Sequence, residues 1–264
     1  DPDETVAKSA KKASGSFYTP RKIIDNMVNE SLLLYLGNYF KAQGRKDVTA
    51  QLQKLIYADL IDGADAAFKK MVVVALCVIK VLDPACGSGA FPMGMLHRIV
   101  SLLNIVDPNN HLWLEKQLAG IEDKMQRANF EKILARHMDD YSRKLGIIKD
   151  AIYGIDIQPL AVMITKLRFF ISLLIEQNVD MKLPEENYLI TPMPNLETKI
   201  LCADSLKDVQ PGLFDESLFT ALLVAKGEYY QPNLSPQDKE KIADDIVGLI
   251  SKMYPNFAPG RPNP

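Results

Sequence analysis

The segment VIKVLDPACGSGAF, residues 78–91, restricts the fold more than any other stretch of this chain. Its β-branched run at 78–83 reads as a short buried strand, and PACGSGA (84–90) reads as a turn. Phe91 to Asn104 then carries apolar residues at helical spacing. Strand, glycine turn and helix therefore follow in that order. Glycines in such a turn let backbone pass close to a ligand, and the helix N-terminus offers N–H groups that no carbonyl of the helix can take. Taken alone, the same turn serves a purely structural connection equally well. After Gly87 and Gly89 come Ala90, Phe91 and Pro92, so the spacing is not GxGxxG, which argues against an ordinary dinucleotide site.

Further strand and helix units follow. AIYGID (151–156) reads as a second strand, Leu160 to Gln177 as a strongly apolar helix, and TKILCADSL (198–206) as a third strand with its exit loop. This alternation predicts an α/β fold, a doubly wound and mostly parallel sheet whose ligand crevice lies at the carboxyl ends of the strands. Thr19-Pro20 is a helix start signal for Arg21 to Phe40, and a second apolar stretch runs from Leu52 to Ile61. Residues 105–150 are charged with apolar positions three and four apart, which predicts a helical insertion. The expected organisation is a flexible lead-in at 1–16, a helical segment at 17–70 and a core at 71–215 containing that insertion. A helical extension and a Pro/Gly-rich tail fill 216–264. No internal repeat is visible.

Composition narrows the classes of function. The longest apolar run, around Met71 to Val81, is interrupted by Lys80 and falls short of the about 20 residues that span a bilayer. The first residues lack the apolar core of a signal peptide, and a cytoplasmic chain with no membrane partner is expected. Cys77, Cys86 and Cys202 are far apart and accompanied by three histidines, which predicts reduced thiols and no metal site. A formal net charge of -2 gives no overall positive field for a polyanion.

Two acids stand at predicted strand ends. Asp156, in YGIDIQPLAV (153–162), is placed to accept hydrogen bonds from two ribose hydroxyls, with Ile157 placed to lie against an adenine face. The plainer account is a helix N-cap and a core isoleucine. Asp204, in CADSL, is suited to an adenine amino group or, more plainly, to a solvated turn.

The ordered set GSFYTP (15–20), DPACGSGAF (83–91), GIDIQPLAV (154–162) and PNLETKILCADSL (194–206) resembles the adenine-N6 amino-methyltransferases of type IIG restriction-modification systems and BREX-type phage-defence methylases. The resemblance covers roughly residues 15–255 and implies a Rossmann-like methyltransferase core that uses S-adenosyl-L-methionine. It implies that Phe17, Tyr18, Thr19 and Pro20 close over the methionine part of the cofactor, with Asp83, Ala85, Cys86 and Gly87 lining the same pocket. Asp156 would then bind the ribose, Ile157 pack on adenine and Asp204 read its amino group. The resemblance extends into the helical segments and thereby implies double-stranded DNA as the final substrate, contacted mostly through regions outside this chain.

The sequence also departs from that family. Its members hold the target amino group in an NPPY or DPPY loop after the third strand, where an aromatic ring stacks on a flipped adenine. No such loop occurs here, so no catalytic residue is assigned, and a piece of a longer protein that is inactive by itself is expected. Two rivals stay open: a methyltransferase for RNA or for a protein amide, and a non-catalytic cofactor-binding or assembly module.

Overall fold

The computed structural model describes residues 19–119, 139–177, 180–183, 188, 190, 196, 198–206, 216–229 and 235–253. The amino-terminal part is helical: α1 (Arg21–Ala42), α2 (Thr49–Ala58) and α3 (Ala66–Val78). Strand β1 (Val81–Asp83) leads into α4 (Ala90–Val106), which is followed by α5 (His111–Ala119) and α6 (Asp139–Asp150). Strand β2 (Ile152–Asp156), α7 (Pro159–Leu174) and β3 (Ile200–Cys202) come next, and α8 (Glu216–Tyr229) and α9 (Pro236–Met253) follow.

Three strands form a parallel sheet in the order β1-β2-β3. This establishes an α/β arrangement, with helices greatly outnumbering strands among the described residues. Val81 pairs with Ile152 and Gly154 with Ile200, so these residues share one face of the sheet by the two-residue alternation of strands. Val81, Ile152 and Ile200 are all buried in the main core with residues of α1, α3, α4 and α7. On the opposite face Leu82 is 60% exposed, while Tyr153, Ile155 and Leu201 are half-buried.

The first strand is shorter than the sequence predicts. Val78 ends α3 rather than opening the strand, and Ile79 is the helix C-cap. The reason lies upstream, where the Asp65 carboxylate accepts the Phe68 N–H at 2.5 Å and starts a helix. Phe68, Val72, Val73 and Leu76 then bury at helical spacing. Burial of that stripe outweighs the β preference of a valine-rich run.

Buried polar groups fix the segment between β1 and β2. Arg143 of α6 is 1% exposed; its Nε donates to Asn110 Oδ1 at 2.9 Å, and its guanidinium also donates to the Asp107 carbonyl. Asp107 in turn accepts the N–H groups of His111 at 3.1 Å and Trp113 at 2.9 Å, capping α5. Lys144 Nζ lies 2.5 Å from Glu176 Oε1, tying α6 to the end of α7. Removing one member of such a network leaves a charge buried without compensation.

Candidate functional site

Helices α1 and α4 pack against each other. Gly94 sits against Ile24 and Val28, and one turn further along Arg98 Nε donates to Asn29 Oδ1 at 3.1 Å. Thr19 and Pro20 directly precede α1, whose N-cap is Pro20, and the glycine turn lies at the carboxyl end of the sheet, between β1 and α4. Phe17 and Tyr18 lie outside the described residues.

At that carboxyl end of the sheet, Asp83 and Asp156 point to the same face, since Asp83 pairs with Gly154, two residues before Asp156. The offset places them about 6–7 Å apart along the strand direction. The turn 84–89 is fastened to β2 by two bonds: Cys86 N–H donates to Ile155 O at 2.8 Å, and Gly87 N–H donates to Asp156 Oδ2 at 2.8 Å. The other oxygen of Asp156 accepts the Gln158 N–H at 2.9 Å. Asp83 Oδ1 accepts the Ala85 N–H at 3.1 Å. The turn rests closely on β2, because a Cβ on Gly154 would meet Cys86 Sγ at 3.0 Å and Ile200 Cδ1 at 3.2 Å.

Gly87 and Gly89 have φ values of +54° and +81°, which other L-residues adopt only with strain. Helix α7 supports the turn from below: Thr165 Oγ1 donates to Gly87 O at 3.0 Å and Arg168 Nη1 donates to Ser88 O at 2.8 Å. Gly89 N–H closes onto Cys86 O at 2.8 Å. Among the described residues, the N–H groups of Ser88, Ala90 and Phe91 are left without an acceptor.

The electrostatics of the site are negative at the strand ends. Burial, and then the neighbouring Asp156, raise the Asp83 carboxyl above its ordinary value, against the lowering effect of the Ala85 N–H. Burial pushes the Cys86 thiol up to about 12, with Asp83 and Asp156 adding to the effect. Cys86 is thus a packed neutral side chain, and the two acids provide an environment for a ligand carrying positive charge.

The structure brings Asp83, Ala85, Cys86, Gly87 and Asp156 into one hydrogen-bonded unit. Ile157 follows directly and is 62% exposed, so it is available to a ligand face rather than packed in the core. Asp204 is exposed and accepts the Leu206 N–H at 3.0 Å in a local turn, while Ala203 N–H ties this loop to Asp156 O at 3.0 Å. Thr165 and Arg168 did not stand out in the sequence, where they look like interruptions of an apolar helix. A groove of about 960 Å³ between α8 and α9, lined by residues such as Thr220, Val224, Asp245 and Leu249, shares none of these residues. Among the described residues no group of three or more His, Cys, Asp or Glu side chains could hold a metal ion. Nor is any helix among them long and apolar enough to cross a membrane.

This chain is 27% identical over 218 residues to a protein of Methanocaldococcus jannaschii named as a type II restriction enzyme and methyltransferase. The alignment covers 81% of this chain but 16% of the relative, so the chain spans about a sixth of the length of the curated relative it matches. No protein-family model matches the chain. No solved structure matches it either.

Proposed function

We propose that the carboxyl end of this sheet binds S-adenosyl-L-methionine and that the chain is the cofactor-binding part of a restriction-modification methyltransferase acting on adenine N6 in double-stranded DNA. The observation that carries this reading is the bond from Gly87 N–H to Asp156 Oδ2, which joins the glycine turn and the acid at the end of β2 into one pocket wall. The similarity to a protein named as a type II restriction enzyme and methyltransferase supports the restriction-modification assignment. The parallel order β1-β2-β3 suits one half of a doubly wound sheet, and in this reading the other half continues beyond β1, which has no other strand partner among the described residues.

The donor set fits the cofactor. Each oxygen of Asp156 takes one backbone N–H and retains a lone pair, which suits two ribose hydroxyls. Ile157 offers an exposed apolar side chain for the adenine ring. Asp204 would accept from the adenine amino group. The unpaired N–H groups at the start of α4 suit the carboxylate of the methionine part, with Thr19 and Pro20 closing over it. Asp83 suits a cationic group beside it. When bound, the cofactor would supply an electrophilic methyl group for in-line transfer to an amino nitrogen held by an NPPY-type loop outside these residues.

Titration calorimetry of this chain with S-adenosylhomocysteine tests the site. Binding is expected, and Asp156→Ala should weaken it roughly tenfold or more, because two charge-assisted bonds are lost; Asp204→Ala should weaken it less. A folded protein that gives neither heat nor a thermal shift up to millimolar ligand overturns the cofactor assignment. A tritiated-methyl assay on mixed-sequence DNA tests the acceptor: these 264 residues alone should be inactive, and a protein extended through an NPPY-type loop should be active. Robust methylation by the 264 residues would place the acceptor chemistry within them.

A further inference from the structure

From the contacts of α7 with the glycine turn we infer that Thr165 and Arg168 are positioning residues for the cofactor, acting through the peptide planes of that turn. The inference rests on the reading of the turn as the S-adenosylmethionine site. In a trans peptide the C=O of one residue and the N–H of the next point in opposite directions. Thr165 Oγ1 holds Gly87 O at 3.0 Å, so the Ser88 N–H in the same plane is directed away from α7, onto the open side of the turn. Arg168 Nη1 holds Ser88 O at 2.8 Å, and the Gly89 N–H in that next plane closes onto Cys86 O at 2.8 Å. Two adjacent planes are thereby fixed from one helix. Gly87, with φ of +54°, could otherwise turn its carbonyl toward the ligand, where it would oppose any acceptor approaching the Ser88 N–H.

The two side chains differ in a way that makes the inference testable. Thr165 is fully buried, and its methyl and hydroxyl both lie where a Cβ on Gly89 would clash, so it packs the turn as well as holding it. Arg168 is exposed and holds Ser88 O from the surface, so losing it removes the bond while leaving the core intact. Neither residue belongs to the set of side chains proposed to touch the cofactor.

The experiment is calorimetric titration of S-adenosylhomocysteine into wild type, Thr165→Val, Thr165→Ser, Arg168→Ala and Arg168→Lys, each well below its own melting temperature. Thr165→Val keeps the shape and removes the hydroxyl, and should weaken binding about five- to tenfold, whereas Thr165→Ser keeps the hydroxyl and should stay within about twofold of wild type. Arg168→Ala should weaken binding about two- to threefold with an unchanged melting temperature, with Arg168→Lys recovering part of the loss. Equal losses for Thr165→Val and Thr165→Ser would mean that packing matters and not the bond, and would overturn the role of Thr165. Wild-type affinity in both Thr165→Val and Arg168→Ala would overturn the inference while leaving the cofactor site standing. No binding by folded wild type would instead remove the site itself. If Thr165→Val does not fold, Arg168→Ala decides: wild-type affinity there overturns the inference, and the expected loss supports it.

Discussion

Helices α4 and α7 each follow a strand and each carry a strongly apolar sequence, yet they bury that sequence differently. Helix α4 buries Pro92, Met95, Leu96, Ile99, Val100, Leu102, Leu103 and Val106, and none of its large apolar side chains is exposed. Helix α7 buries Val162, Thr165, Phe169, Ser172 and Leu173, while Leu160, Met163, Ile164, Leu167 and Ile171 are exposed. The difference follows from position. Helix α4 packs against α1, α3, α6, α7, β1 and β2, whereas α7 packs against α4, α6, β2 and β3. An apolar sequence therefore identifies a helix that needs cover, and only the packing around it tells whether the cover is present.

The largest expected effect tests the sidedness of α7. Phe169→Ala should cost about 3–5 kcal/mol in urea unfolding, since Phe169 is fully buried. Should it cost no more than Leu167→Ala two positions earlier, the inner and outer faces of α7 have been exchanged. Next comes the start of α4. Gly89→Ala should cost about 2–3 kcal/mol, combining backbone strain at φ of +81° with a Cβ 2.7 Å from Thr165 Cγ2. Gly37→Ala, in mid-helix on α1 with nothing within 4 Å of the added Cβ, should instead stabilise by about 0.5–1 kcal/mol. Opposite signs at the two glycines distinguish a required turn from a tolerated residue.

A smaller effect concerns charge at the strand end. Asp83 has a raised pKa in the fold, so its ionised form costs stability above that raised value, and the cost disappears as pH falls through it toward the ordinary 3.8. Asp83→Asn should therefore raise the melting temperature of the ligand-free protein at neutral pH, and the gain should vanish in acid. The same substitution should weaken a cationic ligand. A gain that persists unchanged at low pH would assign it to packing instead. The smallest effect belongs to the outer face of α7: Leu167→Gln should change unfolding free energy by less than about 0.5 kcal/mol in urea unfolding, since Leu167 is 52% exposed.

Much of this was legible in the sequence because local signals agreed. The helix expected at Arg21 to Phe40 is observed as Arg21–Ala42, since Thr19-Pro20 and the apolar stripe of Ile24, Val28, Leu32 and Leu36 point the same way. The strand, turn and helix around Asp83 were legible for the same reason. The strand assigned to 78–83 was too long because a run such as VVVALCVI fits either element, and the deciding Asp65 cap stands well before it. At the candidate site, Asp156 could be singled out from its place at a strand end. Its bond to Gly87 could not, since it spans 69 residues and depends on how closely the turn sits on Gly154. Thr165 and Arg168 escaped for a related reason: a polar residue on an apolar helix declares its partner only once the helix is docked.

The bond between Gly87 and Asp156 also gives the molecule a built-in spectroscopic reporter. The Gly87 amide proton is held at an N···O distance of 2.8 Å by a carboxylate oxygen, so its nitrogen and proton resonances depend on the charge density left on that oxygen. Glycine amides occupy an uncrowded region of a nitrogen-proton correlation spectrum, and selective glycine labelling of this chain would introduce 14 such signals. Any molecule that shares Asp156 draws density from the Gly87 bond and moves that signal, while Gly37, far along α1, stays still. Arrival at the pocket could thus be followed at a single backbone position, without a chromophore, a label on the ligand or turnover.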